Sequence, residues 1–143
     1  MLRFYDDVIN LKPKVVVINY GTNDIAENTG AYSEEHTFNN VKAMCDLARY
    51  HKIKVVLAST LPHKGFGWNP NIKDAMQKIK SLNARVKNYA HENKITYVDY
   101  FSAMLNADGT AMREDLSEDG VHPNGKGYEI MEGIILPIVN KLR

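Results

Sequence analysis

The chain has 143 residues, about one domain's worth, and at that size folding buries ~68–70% of the surface exposed by the unfolded chain. Hydrophobic residues make up 44% and charged residues 24%, which excludes a disordered chain, and a formal net charge of +1 supplies no general attraction to nucleic acid or acidic membranes. The single cysteine, Cys45, excludes an intrachain disulfide and a cysteine zinc cluster; no unbroken apolar run is longer than that of Val15 to Ile18, which is far too short for a membrane span.

The first residues carry Asp6 and Asp7 and no long apolar core, so they do not read as a signal peptide. Leu2, Tyr5 and Ile9 mark one face of a helix, widened by Phe4 and Val8. No Ser, Thr, Asp or Asn stands ahead of them as a cap, so the chain is expected to begin partway along a helix that Pro13 ends. Lys14–Tyr20 is β-branched and nearly all apolar, the pattern of a strand buried on both faces. Gly21–Gly30 reads as a polar loop. Glu34–Tyr50 reads as a helix with Phe38, Val41, Met44, Cys45 and Ala48 on one stripe. Ile53–Ala58 is a second buried strand, and Ser59–Asn71 a long loop with two Pro and two Gly. Ile72–Asn93 keeps helical spacing through Ile72, Ala75, Met76, Ile79, Leu82, Val86 and Tyr89. Ile95–Val98 is a short third strand, followed by a loop to Gly125. A last helix carries Tyr128, Met131, Ile134, Ile135, Ile138 and Leu142 on its apolar side.

Strands alternating with helices predict one α/β domain over residues 1–143, a parallel sheet covered by helices on both faces. Ligands of such sheets bind at the carboxyl ends of the strands, so the loops after Tyr20, Ala58 and Val98 are where chemistry is sought. Two of these regions are informative. Gly21-Thr22-Asn23-Asp24 can be a plain strand-to-helix turn; alternatively, Asn23 presents an amide N–H able to stabilise an oxyanion. Asp24 is expected to hold its loop. Asp119-Gly120-Val121-His122-Pro123-Asn124 can be a glycine turn with Asn124 as a cap. Alternatively, Asp119 and His122, three apart, form a carboxylate–imidazole pair in which Asp119 orients the ring and His122 acts as general base.

Together the two segments resemble the SGNH, or GDSL-type, hydrolases. Gly21, Asn23 and Asp24 match that family's Gly-x-Asn-Asp block, and Asp119, His122 and Pro123 match its Asp-x-x-His-Pro block. Leu61–Tyr89, Asp99-Tyr100 and Gly127-Tyr128 are similar to its lipolytic bacterial branch. The resemblance implies a flavodoxin-like three-layer α/β/α sandwich and hydrolysis of a small-molecule ester through an acyl-enzyme. Such esters include acylated carbohydrates and lipids. It implies Asp119 and His122 as catalytic residues, Asn23 in the oxyanion hole, and Gly21 and Asp24 supporting the site loop. Within the loop after the second strand, His63 and Trp68 are candidates to line the substrate site. Neither a cofactor nor a metal is expected, since no His, Asp or Glu spacing suggests a metal site.

The departure from the family lies in its other two blocks, the nucleophilic Gly-Asp-Ser and the second oxyanion glycine. Neither occurs in this chain, whose serines are Ser33, Ser59, Ser81, Ser102 and Ser117. Both blocks are expected upstream of Met1, which makes this chain the C-terminal portion of an N-terminally truncated domain. Ser59 stands at a strand's carboxyl end but on the wrong side for the nucleophile, and Ser117 is expected to shape the turn around Asp119. The alternative is a catalytically inactive remnant or a small-ligand-binding domain on the same fold. A phosphate binder lacks support, because no Gly-rich phosphate loop follows a strand. The family's sheet order further implies that the Val15–Tyr20 strand is an exposed edge, open to self-association. The compartment is left open, although relatives are often exported from bacteria.

Overall fold

Three β-branched runs form three parallel strands, β1 (Val15–Asn19), β2 (Lys54–Ala58) and β3 (Thr96–Val98), in a computed structural model that describes residues 3–143. Their order is β1-β2-β3. β1 and β2 pair from Val15 with Lys54 to Asn19 with Ala58, and β2 and β3 from Val56 with Thr96 to Ala58 with Val98. Asn19, Ala58 and Val98 therefore lie level, and the loops that follow them leave from one edge of the sheet.

Side chains alternate between the two faces of a strand, and the core divides accordingly. Ile18, Val55 and Leu57 pack with α2 (Glu34–Tyr50) and α3 (Ala75–Glu92), through Val41, Cys45 and Ala48 of α2 and Ile79, Leu82 and Val86 of α3. Val56, Ala58 and Val98 pack on the other face with α4 (Tyr100–Met104) and α5 (Gly125–Leu142). This is the expected three-layer α/β/α sandwich with a parallel sheet. Ser33 caps α2 by accepting from the His36 N–H, and Asn124 caps α5 by accepting from Gly127, each satisfying a donor the helix itself cannot.

Five local expectations change. β1 is not buried on both faces: Ile18 is buried but Val17 is 39% exposed, because among the described residues β1 pairs on one side only. The Gly21–Gly30 segment is not merely a polar loop, since Thr22–Ile25 forms a short helix, α1, that buries Ile25 and Ala26. At the start of the chain, Tyr5–Ile9 is a π-helical turn with no side-chain cap at Phe4. Phe4 and Ile9 are buried and Tyr5 is exposed, so the inner face is shifted from the one expected; Leu2 lies outside the described residues. Tyr128 is 58% exposed rather than on the apolar side of α5. Gly127 approaches so closely that a Cβ there would stand 2.8 Å from the Leu116 carbonyl and from Pro123, and this contact sets which side of the first turn faces inward. α3 begins at Ala75, with Ile72 buried in the turn before it.

Candidate functional site

Gly21, two residues past the end of β1, has φ +90°, a left-handed conformation that L side chains adopt only at a cost. A Cβ there would meet Leu82 and Thr60 at 2.8 Å. The turn is pinned from beneath: Thr60 Oγ1 donates to the Tyr20 carbonyl at 2.6 Å, and Asn83 of α3 both accepts from the Thr60 N–H (2.8 Å) and donates to its carbonyl (2.9 Å). Asp24 accepts from Thr37 Oγ1 of α2 at 3.2 Å. Asn23 sits on α1, and its side-chain oxygen accepts from Asn28 Nδ2 at 2.9 Å.

The second segment closes on itself. Asp119 Oδ2 lies 2.7 Å from His122 Nδ1. Asp119 Oδ1 accepts from the Val121 and His122 N–H groups, both at 2.8 Å. Ser117 Oγ donates to the His122 carbonyl at 2.8 Å and lies 3.2 Å from Asp119 Oδ1. The bond to the His122 ring, followed by those to the His122 and Val121 backbone, holds the Asp119 carboxyl well below the usual carboxylate range. The charge on Asp119 therefore persists, and with Nδ1 engaged, Nε2 is the nitrogen of His122 left to exchange a proton.

The loop after β2 ties the two segments together. His63, 0% exposed, lies between them with Nε2 3.2 Å from Thr22 Oγ1. Burial, partly opposed by the Gly120 backbone, pushes its imidazole down to about 4, so it is neutral at pH 7. Having no exposed surface, His63 does not line open space, contrary to the expectation that it borders the pocket; it joins the loops from beneath. Trp68 is 49% exposed. Its ring stacks on His122 with centroids 6.0 Å apart and planes at 28°, and lies tilted against Phe66 with centroids 5.3 Å apart. Trp68 Nε1 donates to Asn28 Oδ1 at 2.9 Å.

Asn23, Asp119, His122 and Trp68 are thus linked around one edge of the sheet. A cleft of about 300 Å³ lies beside Asn23, between Gly21–Asp24 and Thr37, Asn40 and Met44 of α2. A wider groove of about 730 Å³ runs along Lys64, Arg113, Asp119 and Gly120. Ser59 is fully buried, and its hydroxyl accepts from the Phe101 N–H at 2.7 Å. Among the described residues, no three His, Cys, Asp or Glu side chains gather as a metal site requires. Thr22, Asn28, Thr60 and Asn83 were not singled out as site residues from the sequence. Asn28 carried a weak signal, standing within the polar loop that holds Asn23.

Residues 1–130 match the model of the GDSL-like Lipase/Acylhydrolase family. The chain is 30% identical to an acetylxylan esterase of Xylanibacter ruminicola over 92% of its own length and spans 29% of that protein. It is 53% identical to a GDSL-like lipase of Bacteroides thetaiotaomicron whose crystal structure superposes with a TM-score of 0.97, over 99% of this chain and 69% of that one. An acetylxylan esterase of Geobacillus stearothermophilus shares the fold at 21% identity, with a TM-score of 0.71 over 95% of this chain and 64% of its own.

Proposed function

The chain belongs to the GDSL-like lipase/acylhydrolase family, and from that premise we propose that it is part of a serine esterase, supplying the acid–base pair and an oxyanion donor but not the nucleophile. The observation that carries this reading is the 2.7 Å contact between Asp119 Oδ2 and His122 Nδ1, within reach of Trp68 and the Asn23 loop. In the reaction a serine hydroxyl from outside these residues adds to the ester carbonyl, and its proton passes to His122 Nε2. Asn23 Nδ2 donates to the oxyanion that forms. The carbon–alkoxy bond breaks, and the leaving alcohol takes the proton from His122. A water then adds to the acyl-enzyme, gives its proton to His122, and releases the acid as the serine recovers that proton. Asp119 stays ionised and holds the imidazolium in place.

The esterases among the relatives favour acetylated carbohydrate as substrate. A non-catalytic, ligand-binding reading is favoured by one observation: neither Ser59, buried and bonded to Phe101, nor Ser117, bonded within the Asp119 turn, is free to attack. The two readings separate when the serine is supplied. The chain is joined behind a relative's Gly-Asp-Ser segment, and p-nitrophenyl acetate and acetylated xylooligosaccharides are offered. Turnover that His122→Ala abolishes and Asn23→Ala lowers by ~10²–10³ supports the esterase; a folded hybrid that binds these sugars without hydrolysing them supports the alternative. The 143 residues alone are expected not to turn over either ester, and robust hydrolysis by them would overturn the assignment of the nucleophile.

A further inference from the structure

We propose that Trp68 and Asn28 are positioning residues that dictate which end of the Asn23 amide faces the substrate. The inference rests on the reading of Asn23 as the oxyanion donor, and it names the device that makes Asn23 a donor rather than an acceptor. A side-chain amide has two ends of nearly equal shape, one an acceptor and the other carrying two donors. Asn23 and Asn28 are both exposed, so nothing in their burial selects one orientation. Trp68 removes the ambiguity, because an indole N–H can only donate.

The chain of consequence runs in one direction. Trp68 Nε1 donates at 2.9 Å, so Asn28 must turn Oδ1 toward it. Nδ2 of Asn28 then faces Asn23 and donates to Asn23 Oδ1 at 2.9 Å. With its oxygen engaged, Asn23 turns Nδ2 away from Asn28, and among the described residues that nitrogen makes no hydrogen bond. The backbone supports the arrangement, since the Asn28 N–H donates to the Asn23 carbonyl at 3.1 Å. The same indole covers His122 with its face. One side chain from the loop after β2 therefore sets the general base and the oxyanion donor relative to each other. An acceptor at position 68 would invert the relay and point a lone pair of Asn23 at a developing negative charge.

The 143-residue chain tests the relay without an esterase assay. In ¹⁵N-labelled protein the side-chain amides of Asn23 and Asn28 should be ordered. Trp68→Phe keeps a ring over His122 but removes the donor, and Asn28→Ala removes both the acceptor for Trp68 and the donor to Asn23. In both variants the Asn23 amide order parameter should fall below ~0.6, the range of flexible groups. An Asn23 amide that is equally ordered in the parent and both variants overturns the proposal, whatever the activity. In the hybrid carrying a nucleophilic serine, Trp68→Phe should lower kcat about tenfold with KM little changed, less than outright loss of an oxyanion donor costs. A Trp68→Phe hybrid with unaltered kcat, alongside a parent that depends on Asn23, overturns the proposal as well. If the parent hybrid hydrolyses nothing, the esterase reading fails, and the relay is still decided by the amide measurement.

Discussion

Acidifying the protein from pH 7 to pH 4 should cost the folded state about 3 kcal/mol through His63 alone. This imidazole is 0% exposed and is pushed down from 6.5 to about 4, chiefly by burial. At about 1.4 kcal/mol for each pH unit between the two values, the gap is worth about 3 kcal/mol. The sign follows from which state takes the proton first. The unfolded chain protonates His63 near 6.5 and the folded chain only near 4, so between these values the unfolded state binds more protons and stability drops as the pH is lowered. His63's contribution is whole above about 6.5, declines across the window, and is gone below about 4. Urea unfolding at a series of pH values, on the parent and on His63→Gln, isolates it. Groups that do not interact with His63 cancel in the difference, including Asp115 and Glu35, whose carboxyls are held low by their partners. His63→Gln should be the less stable protein at pH 7 and should lack the slope between 6.5 and 4. Equal slopes in the two proteins would refute the argument that His63 is neutral and dry beneath the site loops.

Gly21→Ala should destabilise by about 2–4 kcal/mol, combining the left-handed backbone penalty with a Cβ forced against Leu82 and Thr60; a shift in the urea midpoint reads it, and a change under 1 kcal/mol would show that the turn yields. Asn83→Leu strands the Thr60 N–H and carbonyl and should cost about 2–6 kcal/mol at roughly 1–3 per buried group, measured by thermal melts; a neutral effect would mean that Thr60 finds other partners. Self-association through the β1 edge is expected by light scattering at ~0.1 mM, since unpaired strand edges recruit other strands. Val17→Lys should abolish it, and a monomeric parent would count against an open edge.

The layered architecture was legible in the sequence because β-branched runs and helical stripes repeat over many residues, as in Lys54–Ala58 and Glu34–Tyr50. The Asp119–His122 contact was legible because it spans three positions of one turn. Hydrogen bonds joining distant segments left no such trace. Trp68 meets Asn28 across 40 residues, His63 meets Thr22 across 41, and Asn83 meets Thr60 across 23; these pairings depend on how the loop after β2 crosses the sheet edge. The four residues of α1 are too few to show a period. The partial exposure of Val17 could not be read from VVVI, because composition reports what a strand could bury and not whether a neighbour lies beside it.

The Asp119 turn has a consequence for the order in which the site comes into being. Its bonds lie within a dozen or so residues: Asn124 N–H to the Leu116 carbonyl at 2.8 Å, Asn124 Nδ2 to the Asp115 carbonyl at 3.0 Å, and the contacts of Asp119 with Val121 and His122. Short loops close in about 10–100 ns, while contacts between distant segments wait on the topology of the whole chain. The carboxylate–imidazole pair is therefore self-templating and can form while β1 and the Asn23 loop are still unfolded.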